Sequence, residues 1–209
     1  MNKSLFIVCS FYTLDTPYVE VAKKYLLTSL NKLIEIKFDI AAIPNLGSWQ
    51  KNTCYKPKFI KQMLKTHKEN IVMVDCDAEI LQYPTLFENI PLEYNVGCHI
   101  LDREKWYNKK INPSKEFLTG TMFWRNNQRS KNILDMWDER INGYSKDIMV
   151  EQKSLPIILK EMNEPIFELP LSYCYIKTLP NGRIPHIKIE NPIIAHNQIS
   201  RLHKRHLNK

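Results

Sequence analysis

Two aspartates directly follow an apolar segment in the stretch NIVMVDCDAEI, which spans residues 70–80. The segment Ile71–Val74 is apolar and short, and it predicts a buried strand. Asp75 and Asp77 are two positions apart, so both carboxylates point to the same side of an extended chain. Ligands of open α/β sheets bind beyond the carboxyl ends of strands, and clustered carboxylates suit Mg²⁺ or Mn²⁺, which bridges them to phosphates. The stretch therefore predicts a divalent metal site for a phosphate-bearing ligand.

A histidine near the end of the chain follows a second apolar run, in the stretch PIIAHNQISRLHKR. His196 is expected at the end of a short strand at 193–195, where a neutral imidazole serves as a further metal ligand. Ser200, Arg201 and Lys204 follow closely and are suited to clamp phosphate oxygens. A hydrogen-bonded structural histidine is the alternative interpretation of His196.

Two further stretches carry candidate site residues, EFLTGTMFWRN and MVEQKSL. Thr119 and Gly120 are expected at the beginning of a strand over 118–124, where a glycine lets a ligand approach the backbone. A β-bulge is the alternative. Glu151 and Gln152 lie on a predicted helix from which they could reach an active site, and a solvated Glu-Gln pair is the alternative.

The elements that position these residues alternate between strand and helix along the first two thirds of the chain. Such alternation predicts an α/β fold with a mostly parallel sheet that helices cover on both faces. The predicted strands are 5–11, 36–43, 71–74, 95–101, 118–124, 166–169, 173–176 and 193–195. The predicted helices are 17–31, one beginning at Pro57, a short one at 84–88, 127–141, and 146–162 with an interruption at Pro156.

Length and glycine content narrow the function classes. A chain of 209 residues fits one compact domain. Its five glycines lie too far apart for the glycine-rich loops of Rossmann dinucleotide-binding proteins or P-loop proteins. If the protein binds a nucleotide, another device must hold the phosphates.

The charge is positive, with 30 Lys and Arg against 22 Asp and Glu, and residues 201–209 contain four of the basic residues. This balance fits a polyanionic partner such as nucleic acid, a phospholipid surface or a diphosphate, and a solvated tail is the alternative. Four lysines share the outer face of the helix after Pro57, and a solvated face is their simplest interpretation. They are Lys58, Lys61, Lys65 and Lys68.

The cysteines and the first residues bear on the compartment. The five cysteines are odd in number and form no C-x-x-C pair, which indicates a reducing compartment and no zinc finger. The start MNKSLFIVCSFY fits a first strand better than a signal peptide, and no apolar run approaches the roughly 20 residues that span a bilayer. We expect a cytoplasmic protein, with association at the inner membrane face left open.

The order of these stretches resembles that of the GT-A class of metal-dependent nucleotide-sugar glycosyltransferases, such as glycogenin and the bacterial lipopolysaccharide galactosyltransferases. The matching stretches, in order, are SFYTLDTPY, YKPKFI, VDCDAEI, TGTMFWRN, a tryptophan-bearing helix, EQKSL and the late His196. The resemblance covers nearly the whole chain. It implies a single GT-A domain over residues 1–200, with a Rossmann-like, mostly parallel sheet, followed by a basic tail at 201–209.

The resemblance also implies roles for individual residues. Asp75, Asp77 and His196 would hold Mn²⁺ or Mg²⁺ on the diphosphate of a nucleotide sugar, which is a UDP-sugar by resemblance. Residues implied in donor binding are Ser10, Phe11 and Tyr12 at the base, Lys56 or Lys58, Cys76, Ser200, Arg201 and Lys204 near the phosphates, and Thr119 and Gly120 at the sugar. Glu151, Gln152 and Asp77 are the implied catalytic residues.

Two departures from the family pattern bear on the donor sugar and the stereochemistry. The acidic pair is Glu-Gln where Asp-Gln is usual, and His196 precedes Asn-Gln-Ile-Ser-Arg rather than a glycine-lysine phosphate loop. In an inverting reaction Glu151 would be the general base, whereas a retaining reaction offers no identifiable base.

Two other functions and several acceptors remain open. An Asp-x-Asp phosphatase also places this motif after a strand, although normally the first strand rather than the third. A nucleic-acid-binding module would use the lysine face and the tail. For a transferase, the acceptor hydroxyl belongs to a glycan, a protein or a modified DNA base, and the positive charge favours a polyanionic acceptor or a membrane surface.

Overall fold

A six-stranded sheet forms the centre of the fold in this computed structural model, which describes residues 5–143, 151–177 and 187–199. The strands are β1 (Phe6–Thr13), β2 (Phe38–Ile43), β3 (Asn70–Val74), β4 (Ala78–Ile80), β5 (Val96–Asp102), β6 (Lys115–Trp124), β7 (Ile166–Glu168), β8 (Tyr175–Ile176) and β9 (Ile194–His196). The order in the central sheet is β2, β1, β3, β6, β5 and β7. Only β6 runs antiparallel to its neighbours in this sheet. The predicted α/β class with a mostly parallel sheet is confirmed.

Helices cover both faces of this sheet. They are α1 (Tyr18–Ala22), α2 (Thr28–Leu30), α3 (Trp49–Thr53), α4 (Lys56–His67), α5 (Arg103–Tyr107), α6 (Gln128–Gly143) and α7 (Glu151–Glu161). A π-helical turn over Lys23–Leu27 joins α1 to α2, so residues 18–30 form one continuous helix after Pro17. Short 3₁₀ turns occur at Thr85–Glu88 and Leu171–Tyr173.

Successive side chains of each central strand point to opposite faces of the sheet, so the core has one part on each face. On one face, Ile7 and Met73 join a cluster with residues of α4, α6 and α7, in which Trp124 and Trp137 stack. On the other face, Val8 packs with residues of the helix at 18–30 and with the 3₁₀ turn at 85–88. This burial of both faces is what a largely parallel sheet requires.

A second, three-stranded sheet folds the end of the chain back onto the segment after β3. Its order is β4, β9 and β8, and β4 begins directly after Asp77. The antiparallel pairing of β4 with β9 places His196 opposite Ala78. The late histidine is therefore held beside the two aspartates by backbone pairing.

Strand β4 and helices α3 and α5 were not predicted from the sequence, and two predicted elements have other bounds. Strand β6 begins at Lys115, three residues earlier than expected, because its first residues pair with the end of β5. Helix α7 continues through Pro156, which removes one backbone donor without ending the helix. The first part of that predicted helix, residues 144–150, lies outside the described residues.

Strand β6 also contains the bulge that was the alternative interpretation of Thr119 and Gly120. Cys98 lies opposite Met122, and the next residue of β5, His99, lies opposite Leu118. Residues 119–121 are therefore skipped in the pairing with β5, while Thr121 still pairs with β3. A bulge of this kind redirects side chains beside a site.

No helix among the described residues has the length and apolar character that a bilayer span needs.

Candidate active site

A cavity of about 730 Å³ opens at the carboxyl ends of β1 and β3. Its walls include the end of β1, the segment Asp75–Asp77, strand β6, and the helices α3 and α7. The β4–β9 pair closes the cavity with His196 and the residues that follow. This is the edge of the sheet at which open α/β folds bind ligands.

Asp75, Asp77 and His196 meet in this cavity. Each offers one ligand atom, and these atoms all lie within 4.8 Å of one another. The backbone N–H of Asp75 donates to the carbonyl of Gly120 over 2.8 Å, which fixes the start of the segment. The structure thus brings together the three residues that the sequence analysis proposed as metal ligands.

His196 is held so that one ring nitrogen faces the aspartates. Its Nε2 lies 2.8 Å from Thr121 Oγ1, and its Nδ1 lies 3.7 Å from Asp77 Oδ1. Burial alone lowers the pKa of this imidazole, but its contacts with Cys174 and Asp77 raise the pKa to about 10. The hydrogen bond from one nitrogen orients the other, which is the arrangement found around metal-binding histidines.

Gly120 is the residue that allows this close packing. A Cβ at this position would lie 3.1 Å from His196 Cε1, 3.3 Å from His196 Nδ1 and 3.5 Å from Asp75 Oδ2. These contacts come from a buried ring and a fixed carboxylate, so the cradle around the three ligand residues depends on glycine.

We expect Gly120→Ala to weaken Mn²⁺ binding by about tenfold, which is the effect of losing a contact that supports a metal ligand. The reason is that the added methyl group would displace the His196 ring by a few tenths of an ångström. Titration of Mn²⁺ by electron paramagnetic resonance measures this change. Gly143→Ala is the matched control, since a Cβ there meets nothing within 4 Å. Equal Mn²⁺ affinity in both variants would contradict the assigned cradle.

The donor set fits a hard or borderline divalent cation. Two carboxylates and one imidazole, which gives up its proton when it binds a metal, are ligands that Mg²⁺ and Mn²⁺ accept. Burial raises the pKa of Asp75, Lys56 opposes this shift, and the charge of Asp77 adds to it. A cation between the two aspartates would relieve this repulsion.

Lys56 is a buried cation at the centre of the site. Its Nζ lies 2.8 Å from Asp75 Oδ1 and 3.3 Å from Glu151 Oε1, and it donates to the carbonyl of Thr119 over 3.2 Å. Burial opposes the charged ammonium, yet Asp75 and Glu151 together raise the pKa of Lys56. Lys56 therefore stays charged, and its ammonium contacts three walls of the cavity at Asp75, Thr119 and Glu151.

Lys58, the alternative phosphate-binding lysine, is on the opposite side of α4. Its side chain is exposed, and its Nζ lies 3.8 Å from Asp138 Oδ2 on α6. Lys61 next to it pairs with Asp135 on the same helix. Of the two lysines in YKPKFI, only Lys56 lines the cavity.

Glu151 begins the described part of α7 and is almost fully buried. Its Oε1 accepts from Thr119 Oγ1 over 3.3 Å, whereas its Oε2 makes no hydrogen bond with any described residue. Trp137 Nε1 donates to the carbonyl of Glu151 over 3.1 Å, so the tryptophan of α6 anchors this end of α7. One buried oxygen of this carboxylate is thus without a hydrogen-bond partner among the described residues.

Gln152 is hydrogen-bonded at the rim of the cavity. Its Nε2 donates to Glu116 Oε1 over 2.7 Å at the rim of the cavity. This hydrogen bond joins α7 to the beginning of β6. Gln152 therefore lines the cavity beside Glu151 while it binds the opposite wall.

Aromatic side chains line the end of the cavity at β1. Phe11 and Tyr12 are among them, whereas Ser10 is fully buried and lies outside the lining. Tyr18 and Trp49 also line this end. The sequence analysis proposed neither residue for the site. Trp49 lies in a polar stretch, PNLGSWQKNTCY, that has no repeating pattern.

The remaining predicted site residues divide into two groups. Cys76 lines the cavity, and burial together with the charges of Asp77 and Asp75 raises its pKa well above the usual value, so the thiol stays protonated. Ser200, Arg201 and Lys204 lie outside the described residues.

Comparison with known proteins identifies the family. Residues 15–191 match the family model of the nucleotide-diphospho-sugar transferases. The chain belongs to this family. It is therefore a glycosyltransferase by family, which confirms the expected enzyme class. A search among curated protein sequences gives no significant match.

Solved structures with low sequence identity share the fold of this nucleotide-diphospho-sugar transferase. A glycosyltransferase involved in glycosylation of the major capsid of PBCV-1 has a TM-score of 0.69 at 14% identity, with 99% of this chain and 100% of that chain covered. Mouse xyloside xylosyltransferase 1 has a TM-score of 0.59 at 10% identity and coverages of 94% and 98%. The galactosyltransferase LgtC has 0.54 at 13% identity and coverages of 96% and 93%. The expected GT-A fold is confirmed.

Proposed function

We propose that this glycosyltransferase moves a sugar from a UDP-sugar to an acceptor hydroxyl, with Mn²⁺ or Mg²⁺ bound by Asp75, Asp77 and His196. The single observation that supports it best is the convergence of these three ligand residues within 4.8 Å at the base of the cavity. The bound cation would neutralise charge that develops on the leaving diphosphate. LgtC has been crystallised with donor and acceptor sugar analogues, which is consistent with such a site in the shared fold.

The nucleoside fits the aromatic end of the cavity. Phe11, Tyr12 and Trp49 offer apolar and ring surfaces there, and α3 holds Trp49 through the cap in which Ser48 Oγ accepts from Lys51 N–H. Aromatic rings and bases stack through their π-faces. The donor would thus extend from this end, across the Asp75–Asp77 segment, toward β6.

The donor sugar would lie among Lys56, Glu151 and Gly120. Glu151 Oε2 is free to accept from a sugar or acceptor hydroxyl, while Lys56 and Thr119 hold the other oxygen of the same carboxylate. Fixed charges of this kind stabilise a transition state because they need no reorganisation during the reaction. Positioning of the acceptor hydroxyl against the anomeric carbon supplies much of the remaining rate enhancement.

The two other functions left open by the sequence gain no support. Lys58 and Lys61, which a nucleic-acid-binding module would use, pair with Asp138 and Asp135 of α6. The Asp-x-Asp motif follows β3 rather than the first strand, unlike the usual phosphatase arrangement.

We further propose that residues 1–200 form one domain and that residues 201–209 form a basic tail. We propose a cytoplasmic location because all five cysteines are unpaired, as is usual in a reducing compartment.

Thermal denaturation with UDP tests this proposal directly. We expect UDP with Mn²⁺ to raise Tm by about 5 °C, and UDP alone or Mn²⁺ alone to raise it by less than half of that, because binding to the folded state adds to its stability. The same mixture with ADP in place of UDP is the control for the base. A screen of nucleotide sugars for Mn²⁺-dependent hydrolysis then identifies the sugar. Equal shifts with and without Mn²⁺ would exclude a diphosphate bound through the metal.

A further inference from the structure

The β5–β6 hairpin extends beyond the rest of the sheet and forms one wall of the cavity. Past the bulge, His99–Asp102 pair with Leu118–Lys115, whereas the pairing of β3 with β6 ends at Thr121. The paired ends of β5 and β6 beyond the bulge, together with residues 103–114 that join them, are called the arm. A strand rises about 3.3 Å per residue, so Lys115 lies up to about 17 Å along β6 from Gly120.

The arm is basic on the side of the cavity. Residues 102–116 contain five Lys and Arg and three Asp and Glu. Arg103 and Lys115 of the arm and Lys153 of α7 line this rim together with Glu116. Lys115 Nζ lies 3.8 Å from Asp102 Oδ2. Lys153 forms no ion pair with a described residue within the distances that define one, and it is exposed. The rim therefore has an excess of positive charge.

Arg103 is held in position with donor capacity to spare. Its Nη1 donates to the carbonyl of Pro113 over 2.9 Å. Its Nε is buried and makes no hydrogen bond with a described residue, although Glu116 Oε2 lies 3.4 Å away. Gln152 donates to Glu116 Oε1, so Glu116 is shared between Gln152 at one oxygen and Arg103 at the other. A planar guanidinium fixed in this way is suited to a carboxylate or phosphate.

In the proposed function the donor diphosphate lies at the metal site rather than at these charges. The diphosphate must contact the segment Asp75–Asp77, and the nucleoside would extend from there toward β1. Strand β1 lies on one side of β3 and the arm on the other. The group that reaches Arg103, Lys115 and Lys153 is therefore part of the second substrate.

We propose that the acceptor is an anionic glycan, with a phosphate or carboxylate bound by Arg103, Lys115 and Lys153. This inference rests on the proposed function. In the reaction, the bond from the anomeric carbon to the phosphate oxygen breaks, and the diphosphate keeps the electron pair. A new bond forms from that carbon to the acceptor hydroxyl oxygen, and the hydroxyl proton passes to the leaving diphosphate or to solvent. The anionic group of the acceptor is unchanged and only positions the hydroxyl.

Matched acceptors test the inference. The probes are the methyl glycosides of glucose, galactose and mannose, their uronic acids and their 6-phosphates, each assayed with the donor found by the hydrolysis screen. We expect the charged member of at least one set to be used with a kcat/KM about tenfold above its neutral match, the size expected for one charge-assisted contact. The uronic acid and phosphate arms distinguish the two sources of negative charge.

Charge variants provide the second arm of the test. We expect Lys115→Gln/Lys153→Gln to lower the ratio of transfer to donor hydrolysis by about tenfold for the charged acceptor. The change should come from a higher KM for that acceptor, and most of the salt dependence of transfer should disappear. Lys65→Gln/Lys131→Gln, which removes two lysines on α4 and α6 outside the cavity, is the matched control.

The outcomes separate this inference from the proposed function. If no nucleotide sugar is hydrolysed in a Mn²⁺-dependent way, the proposed function itself fails. If hydrolysis occurs but neutral members are used as well as charged ones, or if no charged member accepts the sugar, only the anionic acceptor is overturned. An unchanged ratio in the Lys115→Gln/Lys153→Gln variant also overturns it.

Discussion

Asp75→Asn and Asp77→Asn should each lower kcat/KM for sugar transfer by about 10²- to 10³-fold, the usual cost of removing a main electrostatic contributor. Each change replaces a charged oxygen ligand by an amide of nearly the same shape. Asp77 has a second function, since its Oδ2 accepts from the backbone N–H of Ile199 over 2.8 Å. We therefore expect Asp77→Asn to loosen the segment after β9 as well, and Asp75→Asn to weaken the hold on Lys56, which pairs with Asp75 over 2.8 Å.

The measurement is transfer rate at several Mn²⁺ concentrations, beside Tm without metal. Asp135→Asn is the matched control, because Asp135 is an exposed aspartate paired with Lys61 on the far side of α4. Exposed ion pairs contribute little to folding stability, so this variant should remain folded and keep wild-type activity. More than a tenth of wild-type activity in Asp75→Asn at saturating Mn²⁺ would show that the carboxylate is not a required ligand.

Lys56→Met should destabilise the folded protein by about 3 kcal/mol, because removal of one partner leaves a buried charge without compensation. The loss concerns mainly Glu151, whose side chain is 5% exposed, and less Asp75, whose side chain is 39% exposed. Urea denaturation measures the free energy of unfolding. Lys58→Met, two positions along α4, is the matched control and should change this free energy by less than about 0.5 kcal/mol.

A double-mutant cycle separates the ion pair from simple packing. In Lys56→Met/Glu151→Gln no unpaired buried charge remains, so we expect the double variant to regain about half of the stability that Lys56→Met loses. If the two losses add without interaction, Lys56 would stabilise the protein through its aliphatic stem rather than through Glu151. Both variants should have low transfer activity, which distinguishes stability from catalysis in this cluster.

Much of the site could be predicted because each residue follows a strong local pattern. Asp75 and Asp77 follow an apolar strand, and His196 ends another, so their position at strand ends depends only on neighbouring residues. The alternation of strands and helices likewise predicted the sheet class without distant information. These signals are local, because they come from the spacing of apolar residues over a few neighbouring positions.

Other residues could not be assigned from local patterns. Lys56 and Lys58 are both lysines at the start of one amphipathic helix, and only the packing of α4 against β3 and α7 decided that Lys56 is buried. Trp49 lies in a loop whose path depends on the neighbouring elements. Arg103 belongs to a charged stretch that resembles any solvated turn.

The sequence by itself determined the α/β class, the strand ends that bear Asp75 and Asp77, and the short strand that ends in His196, because hydrophobic periodicity and residue chemistry act over a few positions. Tertiary structure alone decided the bulge at Gly120, the burial of Lys56 between two carboxylates, and the basic rim at Arg103. Each of these depends on contacts between segments far apart in the chain. Long-range packing and charge pairing select such contacts, and no local pattern encodes them.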